Sequence, residues 1–322
     1  MKPTFLFPFL LLIACNRGSE KEKESIIADT FTTITSPTLV ILGTLQDGGS
    51  PHAGCKKDCC KDLFINPDKN RCVVSLGVLD PENKMTWIFE ATPDMPYQMK
   101  LLKNFAPYKT NETPDGIFVT HAHIGHYSGL MYLGKEAMGT QNVKVYAMPR
   151  MKTFLETNGP WSQLVNLKNI MIIPIKDSSA ISLSSNITVT PLLVPHRDEY
   201  SETIGYIIKG PNKKVLFIPD IDKWSKWDKN IIEEIKKVDH AFIDATFYDG
   251  KEINNRDISE IPHPFVIESM ELFKDLEASE KRKIKFIHFN HTNPLLNPES
   301  EQTKTVLKAG YGIAKIGEMI GL

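Results

Sequence analysis

The chain has 322 residues, is 41% hydrophobic, and sets 38 Lys and Arg against 39 Asp and Glu for a formal charge of −1, with a pI of about 6.8. That apolar content fills a sizeable core and excludes a disordered or fibrous chain. Balanced charge without a basic run argues against a nucleic-acid partner, because phosphate binding draws on clustered Lys and Arg. In chain order, Met1 and Lys2 precede an almost unbroken apolar run at residues 5–14, FLFPFLLLIA. It is too short to span a membrane, which takes about 20 residues, and suits the apolar region of a secretory signal peptide.

That run ends in Leu12-Ile13-Ala14-Cys15, which resembles the lipobox of bacterial lipoproteins. The resemblance implies a signal peptide over 1–15 and a lipid anchor to the membrane at Cys15, on the periplasmic or cell-surface side. Asn16 after the cysteine favours the outer membrane by the usual sorting pattern. Residues 16–36 are polar, charged and Ser/Thr-rich, and read as a flexible tether with little to bury. The body of the protein is then residues 37–322.

Strands are expected at 38–43, 71–79 and 86–90, the last two around the turn Asp80-Pro81-Glu82-Asn83. A helix is expected at 97–104. Strand 116–120 leads into a helix at 127–138, strand 143–147 follows, and Pro149 opens another helix. The middle is strand-rich, with 170–175, 187–194, 204–209 and 214–218. Helices return at 228–237 and 264–276, interleaved with strands 241–245 and 284–287. Two β-rich halves, each covered by helices, make an α/β fold of four layers, αββα.

The densest chemical signal is Thr120-His121-Ala122-His123-Ile124-Gly125-His126, directly after the apolar run 116–119. Three of the chain's nine histidines fall within six residues, too close for scattered core or surface histidines. Imidazole is a common ligand for zinc and similar ions, and catalytic zinc sites combine several His and carboxylates with a position for water. Further candidates sit at strand ends: His196 after 192–195, Asp220 after 215–219, His288 after 285–287, and His291 just beyond. A strand end is a rigid platform from which side chains converge on one ion.

With these residues in order, the chain resembles the metallo-β-lactamase superfamily, whose pattern is His-x-His-x-Asp-His, then a lone His, a bridging Asp and a final His. His121, His123 and His126 match the first motif, His196 the second, Asp220 the third and His288 the last. More narrowly it is similar to the branch containing the PQQ-biosynthesis protein B. The matching pieces are Leu42-Gly43-Thr44, Asp47-Gly48-Gly49, Pro51, Thr120-His121-Ala122 and the run from Phe286 to Pro294. The resemblance implies a four-layer αββα metallo-β-lactamase sandwich holding one or two Zn2+, with Fe or Mn as alternatives. It implies metal-assisted hydrolysis of a small-molecule ester, lactone, amide or phosphodiester. An iron or zinc redox enzyme and a non-catalytic ligand-binding lipoprotein are the other readings.

One departure bears on the site. Gly125 stands where the superfamily has an Asp that ligates the second metal. The first site (His121, His123, His196, Asp220) is complete. The second keeps His126, Asp220 and either His288 or His291, so it is weak or recruits another group. Asp244-Ala245-Thr246-Phe247 followed by His263-Pro264 is similar to tRNase Z. This implies His263 as the proton donor to the leaving group, against a plain helix-entry residue. His240, before a strand, reads as structural.

Cys55, Cys59, Cys60 and Cys72 form a second constellation, whose C-x3-C-C spacing is not a standard zinc-knuckle signature. The resemblance implies a structural Zn2+ on Cys55, Cys59 and Cys60 with Cys72 or His52 as fourth ligand. A disulfide competes outside the cytoplasm. Residues 46–50 form a glycine turn or an anion-binding nest. Arg197 either holds a substrate carboxylate or phosphate or pairs with neighbouring acids. Trp224 and Trp227 are a pocket wall or core.

Overall fold

The computed structural model describes residues 34–253 and 261–322. The expected signal peptide, Cys15 and all but the last residues of the tether lie outside them. Among the described residues, fourteen strands form two sheets of seven. The first sheet contains β1 (Thr38–Gly43), β2 (Ser75–Asp80), β3 (Met85–Phe89), β4 (Gly116–Phe118), β5 (Val143–Ala147) and β6 (Ile170–Pro174). The second contains β7 (Ile181–Ser182), β8 (Thr188–Leu193), β9 (Ile204–Lys209), β10 (Lys214–Ile218), β11 (His240–Asp244), β12 (Ile284–Ile287) and β13 (Gly312–Ile313). The last strand, β14 (Met319–Gly321), returns to pair antiparallel with β1.

Each sheet is antiparallel on one side and parallel on the other. β1, β2 and β3 form a meander, and β3 to β6 run parallel. β7 to β10 are antiparallel, and β10 to β13 run parallel. Parallel strands bury both faces, and the side chains divide accordingly. Leu39, Ile41, Trp87, Phe89, Phe118, Tyr206, Phe217 and Phe242 belong to one apolar cluster fed by both sheets. Phe118 stacks between Phe89 and Tyr146 at centroid distances of 4.7 and 4.3 Å. Pairs of this kind are worth about 0.5–1.5 kcal/mol beyond their buried area. Alternate residues of β10 to β12 (Leu216, Ile218, Ile243, Phe286) turn the other way, toward Ile231, Ile235, Val266 and Phe273 on the covering helices. The period of two thus sets the four layers, and the sandwich expected from the strand–helix pattern is the one observed.

The element boundaries shift by a few residues, and one differs in kind. The helix expected at 127–138 is one α-turn, Ile124–Tyr127, followed by a 3-10 segment, Ser128–Leu133. Gly129, Gly134 and Gly139 lower helix propensity there. Gly129 also comes against the backbone of Ala91 and Thr92, where a Cβ would lie 2.1 Å from the Thr92 carbonyl oxygen. Helices Trp161–Asn166, Ala278–Lys281 and Glu301–Lys308 add to those expected. No helix among the described residues is long and apolar enough to cross a membrane.

Candidate metal centre

The residues singled out at strand ends do converge. His121 and His123 follow β4, His196 follows β8, Asp220 follows β10, Asp244 ends β11, and His288 follows β12. All lie at the carboxyl ends of their strands, the usual place for a site in an α/β sheet. The ligand atoms of His121, His123, His196 and Asp220 lie within 4.8 Å of one another. Asp220 Oδ2 is 3.4 Å from His121 Nε2, 4.0 Å from His123 Nδ1 and 3.3 Å from His196 Nε2. A second group within the same limit comprises Asp47, His126, Asp220 and His288. There Asp47 Oδ1 is 3.0 Å from His126 Nε2 and 3.5 Å from His288 Nε2, and His126 Nε2 is 3.9 Å from Asp220 Oδ2. One carboxylate, Asp220, belongs to both groups.

Asp47 brings a carboxylate to the second group in place of the one missing at 125. A Cβ on Gly125 would lie 2.5 Å from the Asp47 Cα and 2.7 Å from its Oδ1. The carboxylate missing at 125 is therefore replaced from the 44–50 loop, and glycine at 125 leaves the room for it. Residues 46–50 form a turn, with Gly49 N–H donating to the Gln46 carbonyl at 2.9 Å and Gly49 at φ +65°. The glycine turn is real, and its use is to present Asp47. Sequence reasoning saw both the turn and the vacancy at 125, but nothing local joins positions 78 residues apart.

Each imidazole is held from behind. His121 Nδ1 meets Thr120 Oγ1 at 2.9 Å, His126 Nδ1 meets Glu90 Oε1 at 3.2 Å, and His196 Nδ1 meets Asp222 Oδ1 at 3.1 Å. His288 Nδ1 meets Thr246 Oγ1 at 2.9 Å. These four point Nε2 inward. His123 is reversed, with Nδ1 inward and Nε2 3.4 Å from Glu199 Oε2. Such outer partners fix ring orientation and tautomer in metal sites. Glu90 and Asp222 were not read as site residues from sequence. Glu90 is fully buried at the end of β3 with φ +78°, a conformation uncommon for a non-glycine residue.

The electrostatics suit a cation. Asp47, Glu90, Asp220 and Asp244 all face the cluster. Burial pushes the Asp220 carboxyl up, but the neighbouring His196 and His263 outweigh it and hold it well below the usual range. Asp47 is held low in the same way by His126 and His288, against its burial. Burial and the charge on His126 drive His121 down, while His196 is raised to about 9 because Asp220 and Asp222 overcome its burial. His121 Nε2 and His123 Nδ1 are only 2.8 Å apart. The inward Nε2 of His196 and His288 and the Oδ1 of Asp220 are buried without a well-directed hydrogen bond. Inward lone pairs crowded beside buried carboxylates are what a divalent ion satisfies, so the residues fit a bound metal.

His263 Nδ1 lies 2.8 Å from Asp244 Oδ2 and 3.1 Å from Asp220 Oδ1. Its burial opposes a charge, but the two carboxylates hold its pKa well above the ordinary value. His263, Asp244, Asp220 and His288 form a third close group, sharing residues with the second. Arg197 is exposed and makes no hydrogen bond or ion pair among the described residues. Trp227 is buried and Trp224 packs beside it in the core of the second sheet. Both also line a cavity of about 510 Å³ with Lys223, Pro264 and Glu268, which contains none of the metal-facing histidines.

Two expectations for the cysteines and the final ligand need correction. His291 does not face the active-site cluster. It forms a separate group with Cys55, Cys59 and Cys60, within the same 4.8 Å limit. The last ligand of the main cluster is therefore His288. Cys72 is not the fourth member of the cysteine group. It is buried beside β2, its thiol 3.5 Å from the Lys69 carbonyl, and burial with Asp94 and Asp68 pushes it up to about 12. His52 is not a member either. Its backbone N–H meets Cys60 Sγ at 3.4 Å and its ring packs on His291 at 4.5 Å. Burial, with His52 and Lys57 nearby, brings His291 down to about 4, which keeps its ring neutral. All four of these cysteines are free thiols. The chain turns back at His288, whose φ is +69°, and that reversal sends His291 to the far side. Spacing alone does not reveal it.

The sequence pattern of the Beta-lactamase superfamily domain matches residues 86–289. The chain belongs to that superfamily. The match spans the His121 to His126 motif, His196, Asp220 and His288, while Asp47 and the cysteine group fall outside it. The chain is also 23% identical over 304 residues to the coenzyme PQQ synthesis protein B of Methylococcus capsulatus, covering 86% of this chain and 97% of that one. In fold it is similar to the Zn2+-bound PqqB of Methylobacterium extorquens. That TM-score is 0.71 at 20% identity, over 88% of this chain and all of the other. A diphosphatase of the PhnP family matches with a TM-score of 0.59 at 21% identity, over 88% of this chain and 96% of that one. The superfamily and the PqqB-like branch read from the motifs agree with these likenesses.

Proposed function

We propose that this protein is a metal-dependent hydrolase with two adjacent ion positions, most simply both zinc. The observation that carries the reading is the pair of four-ligand groups sharing Asp220. His121, His123, His196 and Asp220 would hold one ion, and Asp47, His126, His288 and Asp220 the other. Bound there, a divalent ion supplies positive charge for a developing oxyanion and lowers the pKa of bound water to roughly 7. The chain's own groups do the rest. Asp222, Glu90 and Thr246 keep the inner histidines in one tautomer, and His263, carrying its proton between Asp220 and Asp244, is the donor to a leaving group. Arg197, exposed next to His196, is the proposed contact for an anionic part of a small substrate. The substrate is an ester, lactone, amide or phosphodiester, and the diphosphatase of similar fold makes phosphoesters the first class to screen.

The test is metal content by mass spectrometry of the purified chain and of His123→Ala, beside hydrolysis of chromogenic phosphodiester, ester and lactone probes. Zinc lost from the variant together with hydrolysis supports the reading. Unchanged metal or unchanged hydrolysis overturns it. The likeness to PQQ synthesis proteins B over nearly their whole length favours one second reading, an iron- or zinc-dependent redox enzyme of that branch. Iron in the purified protein together with oxygen consumption would put it first. The lipobox-like run ending at Cys15 supports an outer-membrane lipoprotein. Palmitate labelling that survives Cys15→Ser would refute that anchor.

A further inference from the structure

The cysteine group and the second half of the main cluster share one piece of scaffold. The loop after β1 carries Asp47 and then His52, Cys55, Cys59 and Cys60. The segment after β12 carries His288 and then His291. The two are laced together by backbone. Gln46 N–H donates to the Phe289 carbonyl at 2.9 Å, Phe289 N–H donates to the Thr44 carbonyl at 2.8 Å, and Leu45 bridges Phe289 in parallel. Beyond the lacing the side chains continue the contact. The His52 ring sits 4.5 Å from His291, and Cys55 N–H donates to the His52 carbonyl at 3.0 Å. Gly48, next to Asp47, packs so closely on His52 that a Cβ there would lie 2.4 Å from the ring.

Two of the three ligands that the second position does not share, Asp47 and His288, thus lie on the two strips that the cysteine group joins, while the third, His126, follows β4. The first position differs. His121, His123 and His196 follow β4 and β8, and none belongs to either strip. We infer that the Cys55, Cys59, Cys60 and His291 centre is a metal clamp that regulates occupancy of the second ion position by fixing the Asp47 loop against the His288 segment. When loaded, the clamp ties the Cys55 to Cys60 turn to His291, and the seam between the strips is closed at both ends. When empty, the Asp47 loop keeps only backbone bonds and its contact with the imidazoles. A Cys3His set suits structural zinc, which is four-coordinate and closed. Loss of such an ion releases the segments it joins. The inference rests on the histidine cluster being a metal centre, and the following experiment separates the two.

Zinc per chain is measured on the full protein, on Cys59→Ser with Cys60→Ser, and on Gly48→Ala, each with a thermal melt. Wild type should hold three zinc ions. The double cysteine variant should hold one, losing the second histidine position along with the clamp. Gly48→Ala, which alters no ligand, should keep the clamp and the first position and bind the second zinc at least tenfold more weakly. If the cysteine variant does not fold, metal-free wild type is blocked at its thiols with methyl methanethiosulfonate and titrated with zinc. One ion taken up supports the clamp. A chain that loses only the cysteine-bound ion, or a blocked chain that takes up two, overturns the coupling and leaves the hydrolase reading standing. A wild type whose zinc content is unchanged by His123→Ala overturns that reading and the coupling with it.

Discussion

The two ligand groups of this protein are built on different principles. The main cluster draws its histidines from the carboxyl ends of strands in both sheets; His121, His196 and His288 have a ring nitrogen hydrogen-bonded from behind, and His126 Nδ1 lies 3.2 Å from the Glu90 carboxylate. Its members are buried: His121, His126, His288 and Asp220 are at most 3% exposed. The cysteine group is mostly local. Three of its four members fall within six residues, Cys55 and Cys59 are partly exposed, and among the described residues no carboxylate hydrogen-bonds its thiols. A buried cluster of this kind exists only once the sandwich has formed, so the cost of gathering its charges is met by the whole fold. A local thiol group needs one turn and one partner from elsewhere, and gives up little else if it is lost.

Among substitutions that test this difference, Asp220→Ala should have the largest effect. It removes the only carboxylate common to both ion positions and leaves His121 and His196 facing one another. Metal should leave both positions, and any hydrolysis should fall by at least ~10³-fold, since several kcal/mol of charge stabilisation is at stake. Metal analysis and a progress curve with the best probe substrate decide it. A folded variant with both ions still bound would show that the carboxylate is not shared.

Asp222→Asn tests whether the outer partners matter as much as the ligands. It keeps the shape but takes the charge from behind His196, where Asp222 also pairs with Lys226 at 2.8 Å. Zinc affinity at the first position should drop about 10- to 100-fold, measured by competition with a chromophoric chelator. No change would mean that His196 is oriented by packing alone. Gly125→Ala should act on the second position only, because its methyl meets the Asp47 backbone. One ion should be lost from the pair while the first position stays filled.

Cys72→Ala sharpens the comparison from the other side. The thiol is buried but belongs to no ligand group, so every metal should be retained and stability should fall by roughly 1 kcal/mol from the lost packing. Loss of a metal would restore Cys72 to the cysteine centre. The smallest effect concerns Glu252, which accepts from Tyr248 N–H and Thr292 Oγ1, the latter at 2.9 Å beside the cysteine centre. Burial raises its pKa to about 7 despite those bonds. The folded protein therefore holds this proton more tightly than the unfolded chain does. Its contribution to stability is greatest below pH ~4.5 and declines as pH rises to about 7. Glu252→Gln should flatten that part of a Tm-against-pH curve, and a parallel curve would show that another group titrates there.

How much of this was legible beforehand depends on how local each feature is. Strand β12 was read at its observed bounds, because a short apolar run between charged segments leaves few alternatives. The helix expected after His126 is not formed because Gly129 packs on Ala91 and Thr92, a contact invisible in that stretch. Strand ends and motif order single out His121, His123, His126, His196, His288 and Asp220, and the structure brings all six together. They do not single out Asp47, although its turn and the vacancy at Gly125 are both visible in the sequence. His291 joins the cysteine group rather than the main cluster for the same reason: three residues after His288 it looks like a neighbour, and the reversal at φ +69° sends it away.

By itself the sequence determined which segments alternate apolar and polar residues, and hence the two sheets and their covering helices. It also determined that histidines leave the ends of those strands. These properties follow from side-chain periodicity and from residue type, and both are local. The tertiary structure alone decided which carboxylate stands in for the one missing at 125, which histidine serves which centre, and which acids hold the rings from behind. Those choices depend on which segments, 26 or more residues apart, come within hydrogen-bond reach, and no single stretch of chain carries that information.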